Sequence, residues 1–312
     1  MGPLAAKRRS RTLLVATLGA ALAGLVFAPA ALADWLTPES GGSPNADSID
    51  TLYKLVFYLG LVVFIGVEAT LAYFLIRYRA RKGQVAAQIH GNTRLEIGWT
   101  VGAAVILIFI TAFTFIQLPG IKNPAASQID ENGQPVAGGQ TLYAATDQAE
   151  APTGSTAMNI RIDGQQYAWR FQYPGRERVF DYEELTVPAG MTITLDITSS
   201  DVAHSWWIPK LGGKADALPG YVNKTWFKVP LENLEGRDEV IYEGQCAELC
   251  GRNHANMTGR VRVLRFDDWK AWYDGKAQQI QAANRSGARQ RAELDREQQR
   301  AAEATAGEES SN

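Results

Sequence analysis

Two apolar stretches constrain this chain more than anything else in it. Leu55 to Ile76 and Ile97 to Leu118 are each long enough to cross the hydrocarbon core of a bilayer as a helix, which takes about 20 apolar residues. Between them lie Arg77, Arg79, Arg81, Lys82 and Arg94, with no acid until Glu96. A short basic loop of this kind stays on the cytoplasmic side. Helices are therefore expected at 53–78 and 96–118, joined by a cytoplasmic loop at 79–95. They form a transmembrane hairpin whose two outer flanks both lie outside the cytoplasm.

Ahead of the hairpin, Lys7-Arg8-Arg9-Ser10-Arg11 is basic, Leu13 to Ala28 is mostly apolar, and Ala31-Leu32-Ala33 offers small residues for cleavage. Residues 1–33 thus read as a signal peptide and 34–52 as an extracytoplasmic segment. An uncleaved anchor is the alternative, because the apolar run is long for a signal. The paired arginines raise twin-arginine export, which the following spans argue against. With a net charge of −2 and no basic patch outside one loop, nothing points to nucleic-acid binding.

The rest of the chain is expected to be β-rich. Residues 119–154 are polar and rich in Gly, Ala and Pro, as in a linker. Short strand-like runs then follow at 158–162, 167–173, 178–187, 191–197, 225–229, 240–242 and 259–266. Turn residues such as Pro188-Ala189-Gly190 separate them, and the spacing suits an antiparallel sandwich or barrel over 155–275. Asp267 to Tyr273 has the pattern of a short amphipathic helix closing that domain. The tail at 276–312 is polar, a solvated helix or disordered. There is no Cys-x-x-Cys-His, so no covalently attached haem is encoded.

Chemistry concentrates in Cys246-Ala-Glu-Leu-Cys250-Gly-Arg-Asn-His254-Ala-Asn-Met257. The chain has 2 Cys, both here, and 3 His, one of them here. A further histidine, His204, lies in Asp201-Val-Ala-His204-Ser-Trp206, where a neighbouring strand can bring it alongside. Two thiols, imidazoles and a thioether form a soft to borderline set that selects copper over magnesium or calcium. Both thiolates can bridge two ions, each ion taking one imidazole, with Met257 as a weak axial ligand to one and a carbonyl such as that of Glu248 serving the other. Other arrangements stay open at this point. They are a mononuclear copper site of Cys250, His204, His254 and Met257, a zinc site of two Cys and two His, and a disulfide in an oxidising compartment. Met257 could also simply fill core space.

The Cys246–Met257 loop and Asp201–Trp206 resemble cytochrome c oxidase subunit II, and the likeness continues through Lys214-Ala-Asp216-Ala-Leu-Pro219-Gly220. The resemblance implies an all-β cupredoxin-like Greek-key domain carrying the dinuclear copper centre called CuA. It implies His204, Cys246, Glu248, Cys250, His254 and Met257 as copper ligands, with Glu248 also meeting a magnesium ion shared with subunit I. His254 would face the haem of subunit I, and Trp206 and Trp207 would form an apolar wall. No ligand role is implied for Asp216. Electrons would enter from cytochrome c through aromatics of Gln165 to Phe171. Tyr167 stands where the family has a tryptophan, and Trp169 matches its second aromatic. Glu96 would sit at the mouth of a proton-uptake path of subunit I, or else mark a helix end, while Glu68 would make an inter-subunit contact. The implied setting is the bacterial cell membrane, with subunit I and subunit III as neighbours and the copper domain outside. Oxygen reduction and proton translocation would lie in subunit I, with no haem in this chain. Rival classes are a quinol oxidase subunit, the copper domain of a nitrous oxide reductase, and a membrane-anchored copper chaperone or thiol redox protein.

Overall fold

The computed structural model describes residues 37–79, 83, 85, 87–135, 157–175, 179–182 and 184–309. The expected signal peptide at 1–33 lies outside these, as do residues 34–36, residues 136–154 of the expected linker, and Arg81, Lys82 and Arg178. The chain divides into two units, Met1–Glu39 with Asp50–Trp99 and Ser40–Ile49 with Thr100–Asn312.

Helix α1 spans Pro44–Arg77 and helix α2 spans Thr93–Lys122. Both begin ahead of the expected starts at 53 and 96, because helix starts are set by local caps and not by where the apolar run begins. Pro44 opens α1, where a fixed φ suits the first turn and the missing N–H leaves nothing unpaired. At the start of α2, Leu95 N donates to Asn92 Oδ1 and Asn92 N donates to Glu96 Oε1, each at 3.2 Å. This reciprocal cap satisfies donors that a helix leaves free at its first turn. The polar side chains inside the spans fold back on the helix, Thr70 onto the Gly66 carbonyl and Thr114 onto that of Ile110. Apolar side chains such as Val62, Phe64 and Leu75 on α1 and Leu107, Ile108 and Ile116 on α2 face outward. Outward apolar faces on helices whose backbones are internally bonded are what a lipid solvent requires.

The β-domain holds a five-stranded and a three-stranded sheet and a two-stranded ribbon. The first sheet contains β1 (Ala157–Gln165), β2 (Ala168–Gln172), β3 (Phe180–Asp181), β5 (Thr192–Ser199) and β8 (Asn223–Lys228), in the order β3-β2-β1-β5-β8. The second orders β4 (Leu185–Pro188), β10 (Thr258–Leu264) and β9 (Glu239–Gln245) as β4-β10-β9, and β6 (His204–Trp206) pairs with β7 (Ala215–Ala217). The antiparallel expectation needs correction. The β1–β5 and β4–β10 pairs are parallel, since long connections return each chain segment in the same direction. The run expected at 178–187 divides into β3 and β4, which serve different sheets. Strand β1 shows the period of two that buries one face, with Ile160 and Ile162 inside and Asn159 and Arg161 exposed. Ile193, Leu195, Val261 and Val263 continue the core.

Segments flanking the helices complete this domain. Asn45 Nδ2 donates to the Trp226 carbonyl at 2.7 Å and Lys228 N to Ser43 Oγ at 3.1 Å, closing the free edge of β8. At the last turn of α2 and just beyond it, Trp226 Nε1 donates to the Ile121 carbonyl, Thr192 N to Ser127 Oγ and Lys228 Nζ to the Ala126 carbonyl. The start of the expected linker is thus bound along β5 and β8. The closing helix α3 spans Phe266–Glu309, joining the short helix expected at 267–273 to the helical one of the two forms expected for the tail. Its first turns are anchored by Trp269 Nε1 to the Thr186 carbonyl at 3.2 Å, Tyr273 Oη to the Pro174 carbonyl at 2.7 Å, and a Lys276–Asp181 ion pair at 2.8 Å.

Candidate metal centre

The loop between β9 and β10 is tied at its base. Cys246 N donates to the Met257 carbonyl at 2.8 Å, Ala247 N to the Ser205 carbonyl at 2.9 Å, and Gln245 N to the Trp207 carbonyl at 3.2 Å. The loop's far side folds into a short 3-10 turn at His254–Asn256. Together these bonds return Met257 to Cys246 and press the loop against β6, which carries His204.

The sulfur and nitrogen atoms converge. Cys246 Sγ lies 4.0 Å from Cys250 Sγ, 3.9 Å from His204 Nδ1 and 3.3 Å from the Glu248 carbonyl oxygen. Cys250 Sγ lies 3.6 Å from His254 Nδ1 and 3.8 Å from Met257 Sδ. Ligand atoms of His204, Cys246 and Cys250 all fall within 4.8 Å of one another. Two donors on one ion, with metal–sulfur and metal–nitrogen bonds of about 2.3 and 2.0 Å, sit about 3.5 Å apart at a tetrahedral angle. The donor set fits a bound metal, and its soft character fits copper. Both cysteines are free thiols, so the disulfide arrangement is not the one adopted.

His204, Cys246, Cys250 and Met257 are buried, while His254 is half-buried. Burial and the neighbouring Cys246 thiol push the Cys250 thiol up to about 11. His204 is oriented through its other ring nitrogen, Nε2 meeting Asp201 Oδ1 at 2.8 Å, which leaves Nδ1 turned to the sulfurs. Desolvation pushes the Asp201 carboxyl up, but hydrogen bonds from His204 and from the Gln166 and Val202 amides outweigh it and hold the carboxyl at about 2.

The other expected residues scatter. Trp206 is buried and packs edge-on against Trp169 at 5.2 Å and Phe171 at 5.5 Å. Trp207 is only half-buried and lies under Lys214 Nζ at 4.6 Å. The apolar wall beside His204 is therefore made of Trp169 and Trp206 instead of Trp206 and Trp207, since Trp207 follows the end of β6 and packs against Lys214. Trp169 is buried, with its ring 5.8 Å from that of His204, and Tyr167 is half-buried beside Gly251. The Glu248 side chain is exposed, and so are Glu68 on α1 and Glu96 in the cap of α2. Asp201 and Gly164 were missed as functional positions. A Cβ on Gly164 would come within 2.9 Å of His204 Cδ2, so a glycine there lets β1 pass close to the ring.

Apolar helices followed by a β-domain with a cluster of buried thiols and imidazoles are the features of a membrane-anchored metalloprotein. Family models agree. Residues 35–117 match the transmembrane domain of cytochrome c oxidase subunit II, and residues 175–263 match its periplasmic domain. The chain is 30% identical over 263 residues to cytochrome c oxidase subunit 2 of Thermostichus vulcanus, covering 76% of this chain and 77% of that one. It is 29% identical over 249 residues to the Alkalihalophilus pseudofirmus subunit, covering 79% of this chain but only 64% of that protein's length. Among solved structures, the periplasmic domain of subunit II of the Bradyrhizobium japonicum oxidase is 28% identical. It covers 39% of this chain and 95% of that one, at a TM-score of 0.36. The chain belongs to the cytochrome c oxidase subunit II family, and its β-domain carries the residues that match the periplasmic domain of that family.

Proposed function

We propose that this chain is the electron-accepting subunit of a respiratory cytochrome c oxidase, holding two copper ions as a CuA centre. The observation that carries this reading is the paired arrangement around the two thiols, with His204 Nδ1 on the Cys246 side and His254 Nδ1 on the Cys250 side. A mononuclear site of Cys250, His204, His254 and Met257 would leave the Cys246 thiol idle in the same buried cluster, although it lies 3.9 Å from His204 Nδ1. Bound copper would supply the one-electron redox chemistry. The chain's own part is geometric. Cys246 and Cys250 give thiolates at the shared position, His204 and His254 close the two ends, and Met257 and the Glu248 carbonyl stand where weak ligands belong. A loop bonded at its base and packed against β6 resists rearrangement, which suits a site whose charge changes while its ligands stay put.

In this reading cytochrome c delivers single electrons near Tyr167 and Trp169, and they leave by His254 toward haem in subunit I. Oxygen reduction and proton translocation occur in that partner, with subunit III as a further neighbour. The Glu248 carboxylate serves a magnesium ion shared with subunit I, and its exposure supports a role at a boundary. Glu96 stands at the mouth of a proton-uptake path of subunit I, with its carboxylate also capping α2. The protein resides in the bacterial inner membrane after removal of residues 1–33, with the copper domain in the periplasm.

The test is copper stoichiometry and electron paramagnetic resonance of the full chain in detergent, reduced and then loaded with copper. Two coppers per chain sharing one unpaired electron, seen as hyperfine splitting from two equivalent nuclei, are expected. One copper with an ordinary four-line pattern, or no tight binding, rejects the reading.

A further inference from the structure

The turn between β1 and β2 is bonded to both sides of the metal centre. Its two loop residues, Gln166 and Tyr167, lie between the paired Gln165 and Ala168. The Gln166 backbone N–H donates to Asp201 Oδ2 at 2.6 Å. Asp201 Oδ1 in turn meets His204 Nε2 at 2.8 Å. The Gln166 side chain reaches the opposite way, its Nε2 donating to the Cys250 backbone carbonyl at 2.6 Å. One residue therefore engages the ligand on β6 through a carboxylate and the peptide of a ligand on the β9–β10 loop directly.

The surroundings are shaped for that contact. Gly251, with φ of +134°, follows Cys250, and a Cβ there would lie 2.7 Å from Tyr167 Oη and 2.9 Å from Gln166 Nε2. A side chain at 251 would thus displace both turn residues, and the backbone conformation itself favours glycine. The Cys246 end of the loop is held by backbone bonds to Met257 and Ser205. At the Cys250 end the backbone carbonyl takes its bond from a side chain of another element. An amide carries no charge at any working pH, so Gln166 acts through geometry.

We propose that Gln166 is a positioning residue of the copper centre, fixing Cys250 and, through Asp201, His204 in one frame. The inference rests on the dinuclear copper reading above. It also makes the turn that carries Tyr167 rigid with respect to the metal. Removing the side-chain donor frees the Cys250 peptide, so the two copper positions cease to be equivalent and hold their ions less tightly.

The test uses the full chain in detergent, copper-loaded, as wild type, Gln166→Met and Gln166→Lys. Methionine matches the length without a donor, and lysine restores an N–H donor at similar reach. Gln166 is exposed, so neither change opens the core. Copper per chain, the hyperfine pattern and the rate of copper loss to a chelator are measured, with the melting temperature of each apo form. Gln166→Met is expected to lose the equivalence of the two nuclei and to release copper about fivefold faster, the value of one hydrogen bond. Gln166→Lys is expected to recover most of the wild-type behaviour. A Gln166→Met chain with wild-type spectrum and release rate overturns the proposal, and so does equal impairment of both variants or an apo melting temperature lowered in step with copper loss. A wild-type chain without a copper pair overturns the functional reading itself, a result separable from the others because it appears before any substitution.

Discussion

At the scale of single residues, protons compete with copper. The Cys250 thiol, raised from 9.0 to about 11, holds its proton more tightly folded than unfolded. Its stabilising contribution is therefore fully present below the unfolded value and is lost as pH rises through the folded one. Buried Tyr173, pushed well above 10.0 by desolvation, acts in the same direction. The apo chain is expected to melt progressively lower as pH is raised from 9 to 11, whereas the copper-loaded chain, whose thiol protons have already left, shows a smaller decline. Melts of both forms across that range check this. Copper binding should also weaken as pH falls, because ligand thiols must give up protons. Asp201 gives a second expectation at this scale. Asp201→Ala removes the partner of His204 Nε2, and loss of such an orienting group lowers metal affinity about 10- to 100-fold. Chelator competition measures it, and unchanged affinity would show that packing alone orients the ring. The clustered side-chain donors Cys246, Cys250, His254 and Met257 were legible because they are close in sequence and chemically rare. His204 was legible only through its motif. The role of Asp201 was not, since an aspartate three residues before a histidine says nothing until the ring's orientation is known. Gly164 and Gln166 gave no signal, because what they do depends on which strand passes beside them.

At the scale of elements, the closing helix is two things in one. Trp269, Tyr273 and Lys276 pin its first turns to the sheets, while residues from 281 to 300 are almost wholly exposed. Trp269→Ala removes a buried ring and its bond to Thr186, and is expected to cost about 3 kcal/mol, read from denaturant unfolding. Among the described residues, 281–300 contribute no core side chain, so deleting residues 281–312 should shift the melting temperature by less than about 3 °C. A large loss on deletion would mean that the distal helix has a partner within the domain. The sequence pattern located most long strands through alternation, as in β1 and β5. It missed β6 and β7, each 3 residues long, because so short a strand has no period to detect. It also missed the parallel pairing, which depends on the route of the connections and not on the residues paired.

At the scale of the whole molecule, membrane orientation decides whether the thiols meet an oxidising compartment. The helices supply the span, since their backbones are internally bonded and their apolar side chains face outward. The side on which the loop lies is set by Arg77, Arg79, Arg81, Lys82 and Arg94 against the first acid at Glu96. Basic residues close to a span resist export, and acids contribute little to the bias. Alkaline phosphatase, which needs periplasmic disulfides to be active, is therefore expected to be inactive when fused after residue 90 and active when fused after residue 275. Replacing Arg77, Arg79, Arg81 and Lys82 together by glutamine should raise the activity of the first fusion and lower that of the second, if charge is the determinant. Should neither fusion respond, orientation is fixed instead by what precedes the first span, and the same fusions made without residues 1–33 would then separate the contribution of the export signal from that of the loop.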